Sequence, residues 1–232
     1  MADELRLRVL SYNVHGQRDD LAALGALVRD LAPDIAIIQE APRRFRWRQR
    51  CAQLARNTDL LVAAGGLPSL GNLVLTGFRV RPVAADCRRY PLTPGRHLRG
   101  SVFVRCVVGR TPFVVAGSHL STDPEERVRQ ARLLAGQLAE VEEPLVFGGD
   151  LNETPDGTAW HSVAAGLVDA AVAGGAPDAA TFPSRDPQRR LDVIMCDPRW
   201  KVVDYRVVDG PQARAASDHL PVVADLILPA TP

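Results

Sequence analysis

The sequence predicts an α/β fold in which mixed β-sheets are covered by helices. Short runs rich in Val and Ile recur along the chain, each closed by a polar residue or a glycine. In the first third they alternate with segments of helical spacing; later they follow one another with few helices between. That order fits neither a purely doubly wound sheet nor a barrel.

Ten runs read as strands: "LRVLSYNV", "DIAIIQE", "DLLVAAG", "NLVLTG", "SVFVRCVVG", "PFVVAGSHL", "PLVFGGD", "LDVIMC", "VVDYRVV" and "PVVADLIL". Three segments read as helices. "DDLAALGALVRDLA" carries apolar residues at helical spacing from Leu21 to Leu31. "PRRFRWRQRCAQLAR" is expected to open with Pro42 in its first turn, where a missing N–H costs nothing. "DPEERVRQARLLAGQLAEV" begins with acids and carries basic residues further on, as the helix dipole favours.

With 232 residues and 46% hydrophobic content, the chain can bury one sizeable core. No Pro/Gly/Ser-rich linker or internal repeat divides it, so a single domain is expected over residues 1–232, its core spanning about residues 6–228. The opening "MADELRLRVL" lacks the basic-then-apolar order of a signal peptide, and no apolar run is long enough for a membrane span. Cys51, Cys87, Cys106 and Cys196 show no CxxC spacing and read as buried thiols, which predicts a reducing, cytoplasmic location. The net charge of +1 is low for a non-specific nucleic-acid binder, and Lys201 is the only lysine among 28 basic residues. Charge therefore neither demands nor forbids a polyanionic partner. Nothing in the sequence reports the oligomeric state; a monomer is assumed.

Polar residues gather at the ends of the apolar runs. Asn13 closes the first, Gln39 and Glu40 the second, His119 the sixth and Asp150 the seventh, with Asn152 two residues on. In α/β sheets this carboxyl rim is where ligands bind. Asp218 and His219 precede their strand instead; an antiparallel strand would bring its start to the same rim, and Asp192 would reach it in the same way. Each residue alone has an ordinary alternative. Asn13 and "GGDLNETP" could be turns; His119 could be structural; Asp192 could pair with Arg189 or Arg190. Together, however, the carboxylates would repel one another and lose solvation. A divalent cation relieves that cost, and an oxygen set without thiolates points to Mg²⁺ or Mn²⁺.

"SYNVHG", "IIQE", "GNLVLT", "GSHLS", "GGDLN", "RRLDVIM" and "SDHLPVV" stand in the order found in the endonuclease/exonuclease/phosphatase, or deoxyribonuclease I-like, superfamily, which the chain resembles from Asn13 to Pro221. The resemblance implies a four-layer α/β sandwich of two packed mixed β-sheets flanked by helices. It also implies a metal-dependent phosphoesterase. By it, Glu40 looks like the principal metal ligand, with Asn13 and Asp218 beside it. Asp150 matches the residue that activates the attacking water or holds a second metal. Asn152 looks like a donor to the phosphate, His219 like the histidine on the scissile phosphate, and Asp192 like the carboxylate that orients its ring. The chemistry agrees: a metal and fixed donors offset charge on the phosphoryl oxygens, and a carboxylate takes the water's proton.

His119 resembles the histidine of the deoxyribonuclease I, sphingomyelinase and inositol-phosphatase branches, either as a phosphate ligand or as a general acid. The Tyr/Asn motif of the abasic-site endonucleases is not found, which demotes DNA repair. Hydrolysis of a phosphodiester, as a nuclease or phosphodiesterase, is the first reading, with nucleic acid among the candidate substrates. A phosphatase acting on a small phosphorylated metabolite or lipid headgroup is the second. A catalytically silent binding module would have lost a motif residue, and none is missing. For substrate, "RRFRWRQR" offers Arg46 and Arg48 beside Phe45 and Trp47, either as a phosphate-binding surface or as the solvated face of an ordinary helix. Arg99 resembles a phosphate-contacting arginine of some members.

Overall fold

The first strand shows how this sequence builds its layers. In β1 (Leu5–Asn13), Leu5, Leu7 and Val9 join one buried cluster while Leu10 and Tyr12 join another. Period-two alternation puts the two sets on opposite faces of the strand. A strand buried on both faces needs a sheet on one side and helices on the other. The computed structural model, which describes residues 4–229, supplies both.

One sheet has the order β11-β12-β1-β2-β4-β3: Lys201–Val207, Val222–Leu228, β1, Ile35–Gln39, Leu73–Thr76 and Leu61–Gly65. The other has the order β5-β6-β7-β8-β10-β9: Arg81–Arg89, Gly100–Val108, Thr111–His119, Leu145–Asp150, Asp192–Cys196 and Val168–Asp169. Both sheets are mixed, because β1–β2 and β7–β8 run parallel and the remaining pairs are antiparallel.

Val9, Ile35 and Ile37 meet Val102, Val115, Val146 and Ile194 between the sheets. Outside the first sheet, Leu10, Tyr12 and Ile38 pack on α1 (Leu21–Leu31), α2 (Trp47–Asn57) and α6 (Pro211–Ala216). Outside the second, Phe147, Val193 and Met195 pack on α3 (Pro124–Ala139) and α4 (Thr158–Ala164). These are the four expected layers. α5 (Ala170–Ala173) joins the core between the sheets through Ala170 and Ala171. Two glycines let the sheets pack closely. A Cβ on Gly117 would stand 2.7 Å from Ile37 Cγ2, and one on Gly148 would stand 2.8 Å from Ile37 Cδ1, so no larger residue fits without displacement.

All ten expected strands form. Two further strands do not read as such in the sequence: β5 is exposed along most of its length and carries no apolar alternation, and β9 has only two residues. The three short helices α4, α5 and α6 fall below the length at which helical periodicity shows. The expected start of the second helix needs correction. Pro42 lies in the turn after β2, and α2 begins at Trp47, because Arg46 is left-handed (φ 58°) and interrupts the run. No helix among the described residues is long and apolar enough to cross a membrane.

Candidate active site

The alternation that builds the core also builds the site. The stripe Leu5, Leu7, Val9 continues through Ser11 to Asn13. Likewise Ile35 and Ile37 lead to Gln39, Val115 and Gly117 to His119, and Val146 and Gly148 to Asp150. Asp192 opens the β10 stripe of Ile194 and Cys196. The inter-sheet core thus turns polar at one end. Register aligns those ends: Asn13 pairs with Gln39, His119 with Asp150, and Asp192 with Asp150. The antiparallel start of β10 reaches the rim as the sequence suggested. β12 runs antiparallel to β1, and the segment preceding it lies at the same rim. There Ser217 Oγ donates to the Asn13 carbonyl at 2.7 Å, holding Asp218 and His219 against the end of β1.

Asp150 is the hub. Its Oδ2 accepts from Asn13 Nδ2 at 2.9 Å and lies 3.2 Å from His119 Nε2 and 3.7 Å from His219 Nε2. Its Oδ1 accepts from the Asn152 backbone N–H at 2.9 Å. Burial raises the Asp150 pKa to about 6; Asp192 adds to the rise, while His219 and the hydrogen bonds from Asn13 and Asn152 oppose it.

The two histidines on Asp150 hold opposite protonation states. Burial alone would favour neutral His219, but the carboxylates of Asp192 and Asp150 outweigh it and push the ring up to about 10. Nδ1 of His219 donates to Asp192 Oδ2 at 2.9 Å, and Phe182 packs on the ring with centroids 4.6 Å apart. Asp192 therefore pairs with His219. Arg190 instead pairs with Asp169, and Arg189 lies over Phe182.

His119 is held well below the ordinary imidazole value, chiefly by burial and then by the positive charge of Arg99. Arg99 Nη1 lies 3.0 Å from His119 Nδ1. A guanidinium has only donors, so Nδ1 must accept and the ring proton sits on Nε2, directed at Asp150. The short His119–Asp150 contact is then a hydrogen bond from a neutral ring. Asn152 Nδ2 lies 2.9 Å from the same Nε2 and 3.0 Å from the Leu120 carbonyl. Only the carbonyl can accept from it while Nε2 carries a proton. Turning the amide over would set two oxygens 3.0 Å apart, so the orientation stands and one amide hydrogen stays uncommitted.

Glu40 breaks the alternation. It follows β2 in the left-handed region (φ 55°), a costly conformation for a non-glycine residue that is often kept for function. Glu40 lines a cleft of about 210 Å³ together with Gly16, Arg43 and Arg99. The expected convergence of carboxylates thus resolves into two parts. Asp150, Asp192 and His219 are buried, with ligand atoms within 4.8 Å of one another. Glu40 and Asp218 are half-buried, and His15 Nε2 lies 3.7 Å from Asp218 Oδ2.

Asn13, Glu40 and Asp218 offer oxygen donors, and Glu40 has no ion-pair partner among the described residues. In the buried part His219 is imidazolium and would have to release its proton before it could ligate.

Arg99 is brought to the site, whereas Arg46 and Arg48 do not line the cleft. Arg46 lies over Phe45 and Arg48 over Trp47. Sequence reasoning took Arg43 to Arg50 as one stretch, either a phosphate-binding surface or a solvated helix face, and assigned no role to His15 or Phe182. His15 could have been suspected two residues after Asn13 in "SYNVHG"; Phe182 lies in a loop without periodicity and gave no signal.

Residues 10–219 match the model of the Endonuclease/Exonuclease/phosphatase family. No curated protein sequence matches significantly. Among solved structures, a family protein of that description from Bacteroides thetaiotaomicron superposes with a TM-score of 0.81 at 16% identity, over 99% of this chain and 97% of that one. TDP2 of D. rerio, complexed with single strand DNA product, gives 0.76 at 18% identity, over 95% and 98%. The mannosyl-6-phosphatase Bt3783 of B. thetaiotaomicron gives 0.76 at 16% identity, over 95% and 99%. At these identities the likeness is one of fold.

Proposed function

The chain belongs to the endonuclease/exonuclease/phosphatase family, and from that membership we propose that it hydrolyses a phosphodiester by in-line attack of water, dependent on Mg²⁺ or Mn²⁺. The observation that carries this reading is the buried Asp150 between a cationic His219 and a neutral His119. A carboxylate raised to about 6 is matched to taking a proton from water near neutral pH. His219, kept charged by Asp192, neutralises a phosphoryl oxygen, and the uncommitted amide hydrogen of Asn152 donates to another. Asn13, Glu40 and Asp218 would hold the metal, which supplies charge stabilisation to the phosphate and the leaving oxygen.

A phosphatase acting on a small phosphorylated metabolite or lipid headgroup is the second reading, and the fold similarity to a mannosyl-6-phosphatase favours keeping it. A panel of DNA, RNA, phosphomonoesters and lipid phosphodiesters, assayed with Mg²⁺ and again with chelator, separates the two. Asp150→Asn and His219→Ala should each lower kcat by several orders of magnitude. Their combination should cost far less than the product, because groups acting on one step are not additive. Undiminished turnover in either variant, or in chelator, would overturn the reading.

A further inference from the structure

Five arginines line one cleft with Glu40. Arg18, Arg43, Arg44, Arg50 and Arg99 line the same cleft, and Glu40 is the one acid among its lining residues. Elsewhere some arginines are neutralised by carboxylates, as in Arg88–Glu140, Arg105–Glu143, Arg199–Asp197 and Arg214–Asp209. Among the described residues, Arg18, Arg44 and Arg50 form no ion pair. Arg43 is fixed without a carboxylate, donating to the carbonyls of Leu70 at 2.7 Å and Leu98 at 3.2 Å.

Arg99 is the second, independent sign. It is only 8% exposed, yet its buried Nε–H has no partner among the described residues. A buried guanidinium that meets no carboxylate among the described residues keeps its charge uncompensated, and an anion in the cleft it lines offsets that charge. One arginine suffices for a scissile phosphate that already has His219 and Asn152. The remaining guanidiniums exceed what one phosphoryl group can engage.

We propose that this cleft is a subsite for a second, non-scissile phosphate of the substrate, clamped by Arg18, Arg44 and Arg50 with Arg43 and Arg99 forming its wall. The inference rests on the phosphoesterase reading and sharpens it, since a sugar carrying one phosphate would leave the clamp empty. The second phosphate can come from a nucleotide strand or from a small bisphosphate. Arg44 and Arg50 also border a neighbouring groove that holds Phe45, which is 85% exposed and offers a face for a base.

The test uses matched pairs that differ by one phosphate: a 5′-phosphorylated dinucleotide against the unphosphorylated one, and fructose bisphosphate against fructose monophosphate. Wild-type protein should prefer the doubly phosphorylated member of at least one pair by about tenfold or more in kcat/KM, mostly through KM. The pair that shows it identifies the source. In Arg18→Ala/Arg44→Ala/Arg50→Ala the ratio should fall towards unity. The same ratios are read without turnover, by calorimetric titration of the metal-free protein. A missing preference in both pairs, or one that survives in the triple variant, overturns the subsite. Absent hydrolysis with an intact binding preference would overturn the phosphoesterase reading and leave the subsite standing.

Discussion

His219 Nδ1 lies 2.9 Å from Asp192 Oδ2, with both groups almost wholly buried. This contact, with Asp150 nearby, sets the charge of the site. Asp192→Asn keeps the shape but removes the charge, so the His219 pKa should drop. In activity, the alkaline limb of the kcat/KM profile should move to lower pH, with a tenfold loss or more at pH 8. The stability sign follows from the raised folded value, about 10, against an unfolded value of about 6.5. The stabilisation from protonated His219 is full below the unfolded value and is lost as pH rises through the folded one. In Asp192→Asn that alkaline loss should begin earlier, as read from denaturation midpoints across pH. An unmoved alkaline limb and unmoved midpoints would show that Asp192 does not govern His219.

His119 should behave in the opposite sense. Its folded pKa is depressed, so the native state loses stability as pH falls below the unfolded value of about 6.5. With Arg99 on Nδ1, the ring has no spare proton to give a leaving group. His119→Ala should therefore slow an alkyl ester and its p-nitrophenyl counterpart alike, mainly in KM. A loss on the alkyl ester about 10²–10⁴-fold larger would identify a general acid instead.

Glu40→Gln should weaken Mg²⁺ binding by at least tenfold in calorimetry while leaving the thermal midpoint of the metal-free protein nearly unchanged. Glu40 is half-buried and has no ion-pair partner to abandon among the described residues. Normal Mg²⁺ binding by the variant would remove Glu40 from the ligand set.

Gly117→Ala should destabilise by about 1–3 kcal/mol, because the new methyl meets the stiff Cγ2 of Ile37 at 2.7 Å. Ile37→Ala alone should cost about 2–5 kcal/mol. The double variant should cost measurably less than the two together, since each relieves the other. Additive losses in denaturant titration would mean that the sheets do not meet there.

Much of this was legible in the sequence because two-residue periodicity leaves a plain trace. The stripes ending in Asn13, His119 and Asp150 could be read as strands with polar ends, and the antiparallel placement of Asp192 and Asp218 followed from their position before a strand. The neutral state of His119 was not legible, because it depends on burial and on Arg99 meeting His119 across twenty residues of chain. Nor was the set of arginines that line the cleft with Glu40. One left-handed residue, Arg46, delays α2 to Trp47, and the cleft is lined by Arg43, Arg44 and Arg50 in place of Arg46 and Arg48. A backbone reversal of this kind depends on the packing of the turn and leaves no periodic signal.

The continuity of core and site has a thermal consequence. Asn13, His119, Asp150 and Asp192 are the end rungs of the columns that hold the two sheets together. Heat cannot loosen that cluster without parting the sheets, and parting the sheets is global melting. Glu40 and Asp218, by contrast, lie outside the strands and are half-buried. On heating, the affinity for metal should decay gradually, whereas the proton-transfer machinery should fail in a single step at the temperature where near-ultraviolet ellipticity collapses. Excess metal should therefore restore activity to a prewarmed sample up to that temperature and not beyond it.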